Sequence, residues 1–261
     1  MGNLVKMDLR RLFHTPMFTV SMCVLAVLNI ITSCGITIVT RALSSESEPS
    51  TTAISDIIMT PFAGGIFAVL MFASLINFSY ADIANGYVKN LAGQLKHRSD
   101  LVVSKFIVLG IHNIIFLLAG VLSQFIAFGL LVVLKMGTIT NEGRMFEAIA
   151  TLVLKWMLCM AISSILVFIT NGIRNKTFAT IVGVVIGTGS LGLAYIGLNM
   201  ALSKVLKTED IDVSNIMPDS LMRTVNVGAN TAVVNAILVS IICTAIFLGL
   251  TIKVFNTRDV K

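Results

Sequence analysis

The chain has 261 residues, 56% hydrophobic and 12% charged, with nineteen Lys and Arg against thirteen Asp and Glu and a formal net charge of +6. Soluble domains carry roughly 25% charged residues, so this deficit, with a mean hydropathy of +0.93, excludes an ordinary soluble enzyme and places the chain in the bilayer. Cys23, Cys34, Cys159 and Cys243 all fall in apolar runs without a CxxC pair, which excludes a disulfide-stapled fold and a thiolate metal centre and leaves them as packing residues.

The first element is "MGNLVKMDLRRLFHTPMF". On a helical wheel Val5, Leu9, Leu12 and Phe13 share one face while Lys6, Arg10 and His14 share the opposite one. Residues 1–16 therefore read as an interfacial amphipathic helix with its bases toward headgroups or a protein partner. Pro16 separates it from the first span, since proline disfavours helical geometry at the residue before it.

A bilayer core of about 30 Å needs about 20 helical residues, and six segments supply them: 17–40, 62–81, 106–134, 148–170, 178–202 and 233–254. The first is too long, and lacks the small-residue cleavage site, to be a signal peptide. Between the second and third lies the most polar piece of the chain, "DIANGYVKNLAGQLKHRSD". Within it Tyr87, Val88, Leu91 and Leu95 stand on one helical face, with Lys89, Lys96, Asn90, Gln94 and His97 pointing elsewhere. A short cytoplasmic amphipathic helix over 85–98 is expected, its apolar face covered by lipid or by protein.

Inside the spans the polar set is Asn29, Asn77, His112, Asn113 and Gln124. Interhelical hydrogen bonds at about 0.6–2 kcal/mol each account for it, and the same residues could line a path. Lys155, beside Trp156 near the outer end of the fourth span, is expected to snorkel to headgroups. Gly183 and Gly187 set a GxxxG spacing in the fifth span, for packing within the chain or against a second copy. Residues 203–231, centred on "NIMPDSLMRTV", have the length and the proline for a short extracellular or re-entrant helix.

Six spans put both termini on one side, which holds twelve of the nineteen bases. By the positive-inside tendency that side is the cytoplasm. No linker or repeat divides the chain, so 1–261 reads as one integral, all-α domain.

The segment "NGYVKNLAGQLKHRSDLVVSKFI", Asn85 to Ile107, resembles the first cytoplasmic loop of ABC-2 type transporter permeases, matching at Asn85, Gly86, Lys89, Asn90, Arg98, Ser104 and Lys105. The tail "FNTRDVK" is similar to the basic–Asp–hydrophobic–Lys ending of that family, while Lys96–His97 departs from the small residue the family carries there. The resemblance implies a coupling helix in which Gly86, Tyr87, Val88, Lys89, Asn90, Leu91, Leu95 and Arg98 contact a separate ATPase subunit. It implies a second permease subunit, identical or a sibling, in a bacterial cell membrane. ATP and Mg would be bound by the partner ATPase, because this chain has no GxxxxGK[ST] phosphate loop. No cofactor, metal or nucleic acid is expected on this chain.

The expected activity is export of an amphipathic or hydrophobic substrate, a peptide by family analogy. An ion-coupled secondary transporter is the rival, but it calls for an ionisable group at mid-membrane, and every Asp and Glu falls in a loop or at a span edge, Asp82 nearest. An immunity or sensor component against antimicrobial peptides overlaps with export. An intramembrane enzyme has no HExxH or GxSxG motif to stand on, so no catalytic residue is assigned.

Overall fold

The computed structural model describes residues 2–44, 50–59, 65–86, 99–141, 144–206, 212–228 and 232–257. Helix α1 (Gly2–His14) is followed by α2 (Pro16–Ser44), with only Thr15 between them. Proline suits the first helical position, where its missing N–H is no loss, so Pro16 starts α2 as it ends α1. Then come strand β1 (Ser50–Ala53), the short α3 (Ile54–Met59), α4 (Gly65–Ala84) and α5 (Ser99–Val133). Strand β2 (Gly137–Thr140) precedes α6 (Met145–Ile173), α7 (Lys176–Thr188) and α8 (Leu191–Leu206). A 3-10 turn (Val213–Asn215), the short α9 (Pro218–Thr224) and α10 (Val233–Thr257) complete the order.

Five of these helices, α2, α4, α5, α6 and α10, are long and apolar enough to cross a membrane. The α7–α8 pair passes the same test jointly but is bent by 74° at its break. The protein is thus an α-helical, multi-pass membrane protein. Over the expected span 178–202 the chain forms two helical arms around an elbow, and the all-α expectation gains a two-stranded parallel sheet pairing Ser50–Ala53 with Gly137–Thr140. Those strands are rich in Thr, whose branched side chain suits a pleated strand. α5 begins seven residues before the expected 106, at Ser99.

The core is built on α4 and α6. Phe72, Leu75 and Ile76 of α4 and Leu158, Ile162 and Leu166 of α6 are fully buried. α10 packs mainly along α6, α2 along α5 and α7 along α4. The outer flanks of α2 (Val20, Val24, Val27, Ile31) and α10 (Val234, Leu238, Ile241) stay exposed, as lipid-facing surfaces do.

Lys176 at the foot of α7 donates to Asn77 Oδ1 (2.7 Å). Further on, a Cβ on Gly183 would meet Ile76, and one on Gly187 would meet the backbone of Val69 at 2.9 Å. α7 therefore runs antiparallel to α4 from Asn77 toward Gly65, and the GxxxG spacing serves contact within the chain. α1 and the last turns of α10 share one end of the bundle. Ser104 of α5 donates to Asp8 of α1 (2.9 Å), and the next residue, Lys105, has its ammonium 5.9 Å from the Phe255 ring of α10.

Candidate functional site

Of the residues expected to meet an ATPase, Gly86 is described, closing α4 with φ +64. Such a left-handed conformation suits glycine, which has no Cβ to clash. Tyr87, Val88, Lys89, Asn90, Leu91, Leu95 and Arg98, and with them the coupling-helix expectation, lie outside the described residues. What the structure defines is the ground on both sides of that segment.

There α1, α4 and α5 meet around four buried or half-buried charges. Asp82, fully buried near the end of α4, bridges two cations: one oxygen takes the Arg11 guanidinium and the other lies 2.7 Å from Lys105 Nζ. Asp8, fully buried on α1, sits 3.4 Å from Arg11 and accepts from Ser104. Two acids and two bases thus balance in a site where an unpaired charge would cost several kcal/mol. Burial pushes the Asp8 carboxyl above its ordinary range; the Ser104 bond opposes this, Asp82 reinforces it, and Arg11 and Lys105 oppose it.

The wheel of α1 is read differently in this light. Its buried face is Leu4, Asp8 and Leu12, not Val5, Leu9, Leu12 and Phe13 as a block. Val5 and Leu9 are half-buried and Phe13 is exposed. The helix docks on protein through a carboxylate that hydropathy alone assigns to the polar side. One signal was available: Asp8 is the only acid in a basic helix, flanked at i−4 and i+4 by Leu4 and Leu12.

Lys105 also borders a cavity of about 10 Å³ shared with Ser164, Asn171, Thr251 and Phe255. That is about the space one water centre needs, and too small for a substrate.

The intramembrane set divides into three places. His112 and Asn113 belong to one fully buried network across α4, α5 and α6: His112 contacts Ser74 and Asn113 at 3.2 Å each, and Asn113 donates to Ser163 at 2.9 Å. Phe18 and Phe116 stack about the His112 ring. Gln124 accepts from Ser33 (2.7 Å) beside the Asn29–Ser123 bond, tying α5 to α2. Asn77 holds Lys176. None of Asn77, His112, Asn113 and Gln124 borders the cavity at Lys105, the polar hollow near Arg144 and Glu147, or the groove along α7. Each ties helices together.

Lys155 does not snorkel. It is 4% exposed, on a helix packed by α10, α4, α9 and α3.

At the opposite end, α9 braces the elbow. Gly189 caps α7 with φ 75, and Arg223 of α9 donates to the Gly187 carbonyl and lies 3.5 Å from that of Ile186. A cation there satisfies the orphan carbonyls and suits the negative end of the helix dipole. Tyr195 of α8 donates to the buried Asp219 of α9 (2.6 Å). One short helix therefore holds both arms, and Leu221 and Met222 seat it in the core. The expected short helix within 203–231 is α9.

No family profile, curated protein or solved structure matches this chain.

Proposed function

We propose that this chain is the permease subunit of an ATP-binding cassette exporter, moving an amphipathic or hydrophobic substrate, most simply a peptide, out of a bacterial cell. In this reading the chain crosses the membrane six times, with the bent α7–α8 pair as the fifth crossing and both termini in the cytoplasm. A separate ATPase binds ATP and Mg and grips the 85–98 segment, and a second permease subunit completes the assembly.

The observation that carries the proposal is the Asp8–Arg11–Asp82–Lys105 cluster. It stands four residues before Gly86 and seven after Arg98, so both flanks of the polar segment are tied to each other and to α1. A push on that segment would reach α4, α5 and α1 together. Asp82 commits both oxygens to cations, which holds charge in place and favours a motor-driven device over an ion-coupled one.

The test is purification from native membranes, followed by the Tyr87→Ala plus Leu91→Ala variant. An ATPase subunit should co-purify with the wild type, and the variant should insert normally yet lose substrate-stimulated hydrolysis and export. Wild-type coupling in the variant, or ion-gradient-driven uptake by the lone chain in liposomes, would refute the reading.

A further inference from the structure

The face of α1 turned away from the bundle carries Asn3, Lys6, Arg10, Phe13 and His14, all exposed. At about 100° per residue these occupy one arc of roughly a third of the wheel, opposite Leu4, Asp8 and Leu12. His14 Nδ1 bonds the Arg10 carbonyl at 2.8 Å, which leaves Nε2 pointing outward. Between the two faces lie the half-buried Val5 and Leu9, with Phe13 at the end of the same row, 48% exposed.

A free amphipathic helix can roll to suit its surroundings. α1 cannot, because rolling would pull Asp8 off Ser104 and Arg11 off Asp82. Thr15 and Pro16 join it directly to the first membrane-crossing helix, and Phe13 packs edge-on against Phe18 of that helix at 5.6 Å. The basic row is therefore held at the level where the first span begins.

We infer that the outward face of α1 is a pre-oriented binding surface for anionic phospholipid headgroups, with Lys6, Arg10 and His14 contacting phosphate and Phe13 inserted among the upper acyl carbons. Charge complementarity carries the choice of occupant: two fixed cations and a histidine stand in a row with no acid among the exposed residues of the arc. A base near an anionic membrane surface strengthens binding by about fivefold, and an apolar flank adds burial in the interface. The inference holds whether or not an ATPase docks elsewhere on this end of the protein.

The experiment uses the full chain in detergent, titrated with phosphatidylglycerol or phosphatidylcholine and read by native mass spectrometry. Phosphatidylglycerol should bind more tightly than phosphatidylcholine, and Lys6→Gln plus Arg10→Gln should weaken it by at least tenfold. Arg174→Gln plus Lys253→Gln removes equal charge from two other exposed bases and should leave it within twofold. Asp8→Ala, which keeps the outward bases but removes the acceptor of Ser104 and a partner of Arg11, should reduce the preference for the anionic lipid. Equal loss in both double variants would show only net charge at work and overturn the inference, as would no preference in the wild type. Retained preference in Asp8→Ala would overturn the claim of pre-orientation.

Discussion

Asp8 and Asp82 face the same two cations, yet neutralising each should have different effects. Asp82→Asn strands the Lys105 ammonium, which is 2% exposed; breaking a buried pair costs about 3–5 kcal/mol, so the midpoint of unfolding in SDS should fall sharply. Asp8→Asn keeps an oxygen for Ser104 and removes a carboxylate that burial disfavours, so its cost should stay near 1 kcal/mol. The pH dependence follows from the raised value. Folded Asp8 holds its proton more tightly than the unfolded chain, whose value is near 3.8. The stabilisation linked to that proton is therefore full below about 3.8 and is lost as pH rises through the raised value. The wild type should gain on Asp8→Asn as pH falls from 7 toward 4, and a constant gap between their SDS midpoints would contradict this. Residues of this kind were hard to read in advance. Hydropathy ranks Asp8 and Lys105 as surface groups, and their burial follows from a meeting of three helices far apart in sequence.

At the scale of elements, glycine substitutions separate the packed face of α7 from the open flank of α8. A methyl on Gly187 would meet the Val69 nitrogen at 2.9 Å and its Cα at 3.0 Å, so Gly187→Ala should push α7 off α4 at about 1–3 kcal/mol. Gly197 on α8 has open space at the same position, and its replacement by Ala should stabilise by about 0.5–1 kcal/mol through helix propensity. Gly189→Ala should destabilise, since its φ of 75 disfavours a side chain and the new methyl would stand 2.8 Å from the Arg223 guanidinium. Thermal unfolding in detergent ranks all three, and equal effects at Gly187 and Gly197 would contradict the packing described. The long apolar helices were legible because hydropathy over about 20 residues is a strong signal. The elbow was not: Thr188–Gly189–Ser190 has the composition of a cap, but five glycines between Gly183 and Gly197 hide which one ends the helix. The tertiary partner that decides it, Arg223, lies more than thirty residues downstream.

For the whole molecule, α1 and the end of α10 both reach the Ser104–Lys105 region. Cysteines placed at Gly2 and Thr257, in a chain freed of its four native ones, should react with a membrane-impermeant thiol reagent from one and the same side in oriented vesicles. Labelling from opposite sides would overturn the shared-end arrangement and the six-crossing proposal with it. The general class and the apolar helices could be read from composition and hydropathy. The way the spans are joined could not, because the polar groups that join them are few and each is matched to a partner on another helix.

α7 has only thirteen residues, about 20 Å at 1.5 Å per residue, and its foot at Lys176 is level with Asn77 rather than with Ala84 at the end of α4. Under the six-crossing proposal, a hydrocarbon layer of about 30 Å would not meet that flank without distortion. In that proposal lipids beside Lys176 would bend inward or let headgroups and water rise toward the ammonium, leaving a dimple beside α7. Thicker, stiffer bilayers would resist that deformation, so the host membrane's thickness becomes a determinant of how comfortably this protein sits.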